Sequence, residues 1–537
     1  MEDVDVVVIG SGAAGLAAAL AAADGGAEVA VLEASSRWGG STAVSGGQIW
    51  APANHRMQEA DCPDSAESAL TYCRAAAPGR ADDLVETFVR TTPETVRFLE
   101  ERTPIEFSVV TAYPDTFVEL PGGHSSRHIE VRPVAVGDLG VIDELVWPAP
   151  LFAPVLTNQE VFEHSLFAGG RPPLELIAQR SSDEVVTLGA GLVIGLLHGC
   201  RAMGVGLVRG CRAVELLRAD NGRIAGVRAE QDGAARTLRA RRGVILATGG
   251  FEHDSDLRSR LLSGPLTHPV TPPVQNGDGL RLAGQIGAAM AYPGEYWSWP
   301  AYQVPGAVWP NSDATPQAQL VLPERSLPHV LWVNAAGHRF VNESSHNCAA
   351  AFAELDPNTH RLRNLPAWAI GDAQFRAKYS VAGIPAGSQA PDWLIQADSI
   401  HDLATLLGIA PDALASTITR FNNMAATGRD EDFGRGRSRY EHAFGDPAAV
   451  HPNLGPVAEP PFFALPIHPG AVGTKGGARI DRHARVLDWT GHPIPGLYAA
   501  GNAAAAVFGP GTIAGGLTIA SALTWGRIAG RDAARTY

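Results

Sequence analysis

Near the start of the chain, Gly10-Ser11-Gly12-Ala13-Ala14-Gly15 sets three glycines at GxGxxG spacing. That spacing suits a backbone turn around a pyrophosphate. The first glycine permits the turn, the second lets phosphates approach the backbone, and the third lets helix and strand pack closely. Such chemistry needs a strand before the motif and a helix after it. Val6 to Ile9 is a short apolar run of the kind expected for a parallel strand covered on both faces, and the alanine-rich stretch after it reads as a helix ending near Asp24-Gly25-Gly26. Its N–H groups and positive dipole end would face the phosphates. A second strand, Glu28 to Leu32, completes a βαβ unit. Glu33 closes it about 20 residues into the motif, where a carboxylate accepts from ribose hydroxyls and repels a 2′-phosphate. Ala34 and Ser35 are grouped with it in the binding site. The fingerprint serves NAD and FAD alike, so it leaves that choice open.

The next segment, RWGGSTAVSGGQIWAPAN from Arg37 to Asn54, resembles the second flavin-contacting loop of the fumarate reductase and 3-ketosteroid dehydrogenase superfamily. There, small residues let the backbone approach the flavin ring; here they are Gly39, Gly40, Ser41, Thr42, Ser45, Gly46 and Gly47. The resemblance extends to Arg241–Gly250, with Ala247, Thr248, Gly249 and Gly250, and to Gly496–Asn502, with Gly501 and Asn502. It also covers the late helix start at Gly516, Leu517, Thr518 and Ile519, and it implies non-covalent FAD rather than NAD. Short strands at Cys211–Leu216, Arg223–Glu230 and Ala235–Ala240, with Asn221-Gly222 as a turn, suggest a small antiparallel meander. In the family such a meander sits on the nucleotide domain, which implies a backbone contact to adenine at Ala213 or Val214.

Nearly the whole chain is similar to the 3-ketosteroid dehydrogenase branch, through SGGQIWAPAN, ELPGG, WSWP, VNAAGHRFVNE and GTKGG. In that branch a tyrosine base removes a proton beside a ketone. Another tyrosine and a backbone N–H polarise the ketone oxygen, and hydride passes to the flavin. This sequence departs at each phenol. Asn347 stands four residues beyond Glu343, where the base is expected; Thr512 stands at the polarising tyrosine, with Gly516 keeping the backbone donor; and Thr116 and Phe117 follow Pro114-Asp115 where a third tyrosine is expected. The fumarate reductase alternative loses its arginines and its histidine at the matching places. His346, next to Asn347, could serve as a base near neutral pH or simply be an exposed or capping histidine. Tyr296, Trp297, Trp299 and Tyr302 could wall a hydrophobic pocket or belong to the core. His468 reads as a structural histidine.

The elements that must hold these residues fit an α/β fold, a Rossmann-like FAD-binding domain with an inserted α+β substrate domain. A chain of 537 residues suggests two large domains. The aromatic and proline-rich AYPGEYWSWPAYQVPG stretch sets the first boundary, giving residues 1–286 for the first part of the FAD domain, 287–454 for the substrate domain and 455–537 for the return. A formal charge of -14 argues against nucleic-acid or anionic-membrane partners. The five scattered cysteines suggest neither disulfides nor a metal site, and point to a reducing cytoplasm. No export segment or membrane span is expected. Three functions follow from these residues. The first is desaturation of a hydrophobic cyclic or steroid-like ketone, with an external electron acceptor left unidentified. The second is reduction of an activated C=C bond, and the third is ligand binding by a flavoprotein without turnover.

Overall fold

The computed structural model describes residues 2–78, 83–149, 154–310, 312 and 314–536. Strand β1 (Glu2–Ile9), helix α1 (Ala13–Asp24) and strand β2 (Val29–Leu32) form the expected βαβ unit, with Val6 to Ile9 paired in parallel register to Val29–Leu32. β1 lies at the centre of an eight-stranded sheet. Ala234–Leu246 and then Pro493–Ala499 lie on one side of it, and β2 and Gly206–Val208 on the other. The stretches read as Ala235–Ala240 and Arg241–Gly250 join in one 13-residue strand, Ala234–Leu246. Its first half pairs antiparallel in the meander with Ile224–Gln231, and its second half runs parallel to β1.

The face of this sheet is covered by α1 and by the last helix, Leu517–Arg535. Close approach depends on small residues: a Cβ on Gly526 would lie 2.3 Å from Ala14 O, and one on Gly530 would lie 2.1 Å from Ala18 O. Two helix backbones therefore touch where larger side chains would hold them roughly 8–10 Å apart at their axes. This fixes the N-terminus of Leu517–Arg535 beside the glycine motif.

A second sheet carries Pro316–Leu320, Tyr296–Val308, Phe462–Thr474, Ala367–Gly371 and Val330–Asn334 in that order. Phe462–Thr474 is its longest-reaching strand, pairing with Tyr296–Ala301 near its C-terminal end and with Ala367–Gly371 near its start. Helices Ile400–Leu407 and Pro411–Thr427 pack on one face through Leu403, Leu414, Ile418 and Phe421, against Leu331, Val333 and Ile370. Trp332, Phe352, Phe375 and Phe463 fill the other face. Phe462–Thr474 delivers Lys475 to the seam between the two sheets. No helix among the described residues is long and apolar enough to cross a membrane.

Candidate active site at the seam of the two sheets

A cleft of about 1330 Å³ runs from the glycine motif to the seam. Gly10, Gly12, Ala13 and Ala14 form one end, with Glu33 and Ala34 beside them. The Glu33 carboxylate is locked: Oε2 accepts from Ser11 N–H at 3.1 Å and Ser11 Oγ–H at 2.6 Å, and Oε1 accepts from Ser35 N–H at 2.8 Å. Burial pushes its pKa up against those bonds. Ser35 thus acts through Glu33 and does not line the cleft. Gly15 and Gly39 also serve packing. A Cβ on Gly15 would lie 1.9 Å from Gly10 O, and one on Gly39 would strike Val193.

Further along, Gly40, Ser41, Thr42 and Ser45 form one wall and Ala247, Thr248 and Gly249 the other. Thr42 Oγ1 accepts from Ala13 N–H at 3.0 Å, pinning this loop to the first turn of α1. Gly47 packs on the backbone of Leu188, and Gly250 on Glu252 and Thr474. Ala213 faces the cleft and Val214 does not, as alternation along a strand requires. Gly501, Asn502, Thr518 and Ile519 complete the far end.

The cleft suits a dinucleotide on two further observations. Gly12 has ordinary backbone angles and no atom within 3.4 Å of an added Cβ, so it is a cradle open to a ligand. Gln275 Oε1 is buried in the wall without a hydrogen-bond partner, a polar atom that a bound group would satisfy.

A second cavity, of about 970 Å³, meets the first at Ser45, Leu320, Val472, Thr518 and Ile519. Trp297, Trp299, Phe162, Phe167 and Phe444 give it apolar walls, while Gly46, Gln48 and Asn158 line one side. His346, Thr512, Gly516 and Leu517 line it as well. Gly516 has φ 68° and precedes the helix, whose first backbone bond is Ala520 N–H to Gly516 O at 3.1 Å. Donors ahead of Ala520 therefore face the junction of the two cavities, as at any helix N-terminus.

Thr512 Oγ1 accepts from Lys475 Nζ at 3.3 Å. Lys475 also donates to Pro510 O and, at 3.4 Å, to Gly511 O, and its ammonium sits 4.4 Å from the centre of the Trp297 ring. Burial brings the Lys475 pKa down to about 8. Asn347 is tucked behind the wall, its Nδ2 donating to Thr512 O at 3.2 Å and its Oδ1 lying 3.3 Å from His346 Nδ1. His346 is neither exposed nor a helix cap. It stands edge-on to Trp299 and Tyr440, and burial, helped by the Arg325 charge, lowers its pKa to about 3.

Other expected pocket residues lie elsewhere. Strand alternation puts Trp297 and Trp299 on the cavity side, while Tyr302 enters the core of the second sheet and the Tyr296 hydroxyl lies against Gly264. Thr116 and Phe117 sit one layer back, where Phe117 N–H donates to Tyr72 OH at 3.2 Å. The cavity instead receives Tyr113, three residues before Thr116, with Tyr440 against it at 6.4 Å between ring centres. Sequence reading missed both phenols. Tyr113 directly precedes the Pro114-Asp115 landmark, which was the one local signal; Tyr440 had none. His468 stacks on His268 with ring centres 3.9 Å apart and lines neither cavity.

Residues 5–519 match the FAD binding domain family. The chain belongs to that family. It is 36% identical to a 4-oxocyclohexanecarboxylate 2-dehydrogenase of Sinomonas cyclohexanicum over 99% of this chain and 92% of that protein. It is 34% identical to a 3-oxosteroid 1-dehydrogenase of Mycobacterium tuberculosis, over 98% of both chains. The crystal structure of the 3-ketosteroid Δ1-dehydrogenase of Sterolibacterium denitrificans, in complex with 1,4-androstadiene-3,17-dione, superposes with a TM-score of 0.92 at 31% identity, covering 99% of this chain and 100% of that one. A flavocytochrome c3 fumarate reductase shares the fold at a TM-score of 0.68 and 22% identity, over 99% of this chain and 78% of that one. FAD is therefore the cofactor, and the chain is an oxidoreductase of the ketosteroid dehydrogenase branch.

Proposed function

We propose that the protein desaturates a hydrophobic cyclic ketone beside its carbonyl, with Thr512 and Gly516 holding the ketone oxygen. FAD, when bound along the first cleft, would supply the hydride acceptor. The observation that carries the placement is the Lys475–Thr512 contact. A threonine hydroxyl has one proton and two lone pairs. Because Lys475 donates to one lone pair, the Thr512 proton is free to point into the cavity. A ketone oxygen placed there also meets the N–H at Gly516, so two donors face the negative charge that grows as the α-proton leaves.

The aromatic walls hold the ring of the substrate and exclude water, while Gln48 and Asn158 offer polar contacts on one side. Relatives that act on a monocyclic oxo-acid and on 3-oxosteroids support the cyclic-ketone class. The five cysteines are free thiols, which supports a reducing cytoplasm. The test is anaerobic titration of the holoenzyme with monocyclic ketones, oxocyclohexane carboxylates and 3-oxosteroids, followed by flavin absorbance. Bleaching by a saturated member together with formation of the enone is expected. Oxidised flavin that stays unbleached by every saturated ketone, while reduced flavin is reoxidised by enones, would reverse the assigned direction.

A further inference from the structure

Desaturation requires a base for the α-proton, and the expected position holds Asn347, which has none. His346 is a poor replacement, since protonating it would bury a charge beside the Arg325 guanidinium. Tyr113 is the other proton-handling group in the cavity wall. Its hydroxyl would lie 2.3 Å from a Cβ on Gly515, so it stands against the same turn that offers Gly516 to the ketone. Behind it the phenol is hydrogen-bonded to Tyr440, and Tyr440 is hydrogen-bonded to Arg325.

Arg325 explains what this chain is for. It is 1% exposed, and its guanidinium donates to Glu343 O at 2.8 Å and Ser345 O at 2.7 Å and sits 5.0 Å from the centre of the Trp299 ring. Its Nε is buried without a partner, and among the described residues no carboxylate forms an ion pair with it. A buried cation without a counter-ion favours any neighbouring group that can become an anion. Tyr440, Tyr113 and the Cys348 thiol, to which Arg325 Nη1 donates at 3.9 Å, are those groups, and of the three Tyr113 is the one that lines the cavity. Among the rings packed on Tyr113, His128 is the titratable one besides Tyr440; it lies 4.1 Å away between centres, its nitrogens sit 3.0 Å from Tyr113 O and Gly515 O, one of which its single N–H serves, and burial lowers its pKa to about 4.

We infer that Tyr113 is the base of this enzyme, with Tyr440 and Arg325 as positioning residues that stabilise its phenolate. This rests on the ketone orientation proposed above. In the step, the Tyr113 oxygen takes the proton from the carbon beside the carbonyl, so an O–H bond forms and a C–H bond breaks. The freed electron pair becomes the C=C bond as the neighbouring carbon gives up hydride to FAD. The ketone loses two hydrogens and two electrons, one hydrogen going to Tyr113 as a proton and the other leaving as hydride. Burial pushes the Tyr113 phenol up to about 12, with Arg325 and the Tyr440 bond holding it below where burial alone would leave it.

Two measurements on the FAD-loaded enzyme test the assignment: stopped-flow flavin reduction by a saturated cyclic ketone, and exchange of its α-hydrogens in D2O by the pre-reduced enzyme, which cannot accept hydride. Tyr113→Phe is expected to slow both by about 10²–10⁴-fold, with ligand affinity changed by less than about threefold. Tyr440→Phe is expected to lower the limiting reduction rate with KM unchanged, a split that a merely structural role would not give. Loss of reduction with exchange retained in Tyr113→Phe would overturn the base assignment and leave the desaturase reading intact. Rates within about twofold of the parent in both measurements would overturn it too, as would a larger loss of exchange in His346→Gln. A parent enzyme that neither bleaches nor exchanges any ketone would instead remove the desaturase reading on which the inference stands.

Discussion

Lys475 Nζ and Thr512 Oγ1 meet at 3.3 Å, where an ammonium buried between the two sheets stands directly behind a hydroxyl in the cavity wall. A threonine hydroxyl is a weaker donor than the tyrosine expected at this position, and a cation on its far side strengthens it. Thr512→Val is expected to lower the limiting rate of flavin reduction by about 10²-fold and Lys475→Met by about 10-fold, each with smaller effects on ligand affinity. The pH dependence follows from burial, which brings Lys475 down to about 8. The ammonium is present below that pH and lost above it, so the reduction rate should acquire a descending component as pH rises through 8. A pH profile of Lys475→Met should lack that component; its survival there would assign it to another group.

The two leading glycines of the motif separate by experiment. Gly10 has φ 105°, and a Cβ there would lie 2.3 Å from Ala247 O, so Gly10→Ala strains the backbone and forces strand and turn apart. Gly12 has φ -70°, and a Cβ would find nothing closer than Thr42 Oγ1 at 3.5 Å. Gly12→Ala should therefore melt within a few degrees of the parent apoprotein yet bind FAD at least about tenfold more weakly. Gly10→Ala should lose about 1–3 kcal/mol of stability as well. Apoprotein melting curves and FAD titrations check both.

Glu33 offers a more selective handle on the cofactor. Its carboxylate already accepts from Ser11 and Ser35, and it lies on the wall where a ribose would rest. Glu33→Gln keeps the shape but replaces one acceptor by a donor facing Ser11 or Ser35. FAD affinity should fall by about 10-fold or more, from a lost charge-assisted hydrogen bond worth roughly 1.5–3 kcal/mol. Fluorescence titration of apoprotein with FAD measures it, and unchanged affinity would move the ribose away from Glu33.

The first sheet was legible because its signals are local: an apolar strand, glycines whose spacing has a steric reason, and a turn at Asn221-Gly222 that the structure closes with φ 84° at Gly222. The aromatic stretch from Tyr296 was legible as a wall but not in its facing. YWSWP alternates large rings on both faces, and only the pairing of Ala301 with His468 and Trp299 with Gly470 decides which face meets the cavity. Tyr113, Arg325 and Tyr440 were illegible for another reason. They come from three distant segments, with no local signal beyond the Pro114-Asp115 landmark beside Tyr113, and they meet only when both sheets are assembled. Lys475 sat within a quoted motif, yet its partner Thr512 is 37 residues away in sequence.

The VNAAGHRFVNE motif turns out to be structural support for the cavity wall, which leads to a prediction about acid. Glu343 accepts from Arg339 at 2.9 and 2.8 Å, from Arg435 at 3.3 Å and from Trp332 N–H at 3.1 Å, and Arg339 also pairs with Asp430 at 3.0 Å. All four charged side chains are at most 3% exposed. The cluster anchors the chain immediately before His346 and Asn347, so the pocket wall depends on it. Glu343→Ala would leave two buried guanidinium groups short of a counter-ion and should destabilise the fold by about 3–5 kcal/mol. Burial pushes the Glu343 carboxyl up, but Arg339 and Arg435 outweigh it and hold it below its ordinary 4.5. A carboxyl depressed in the folded state stabilises the fold above its unfolded value, and that contribution is lost as pH falls below 4.5 toward the folded value. Urea unfolding from pH 7 to pH 3 should show the parent losing its advantage over Glu343→Gln in that acid window. A constant difference between the two curves would mean that the cluster is not what acid dismantles.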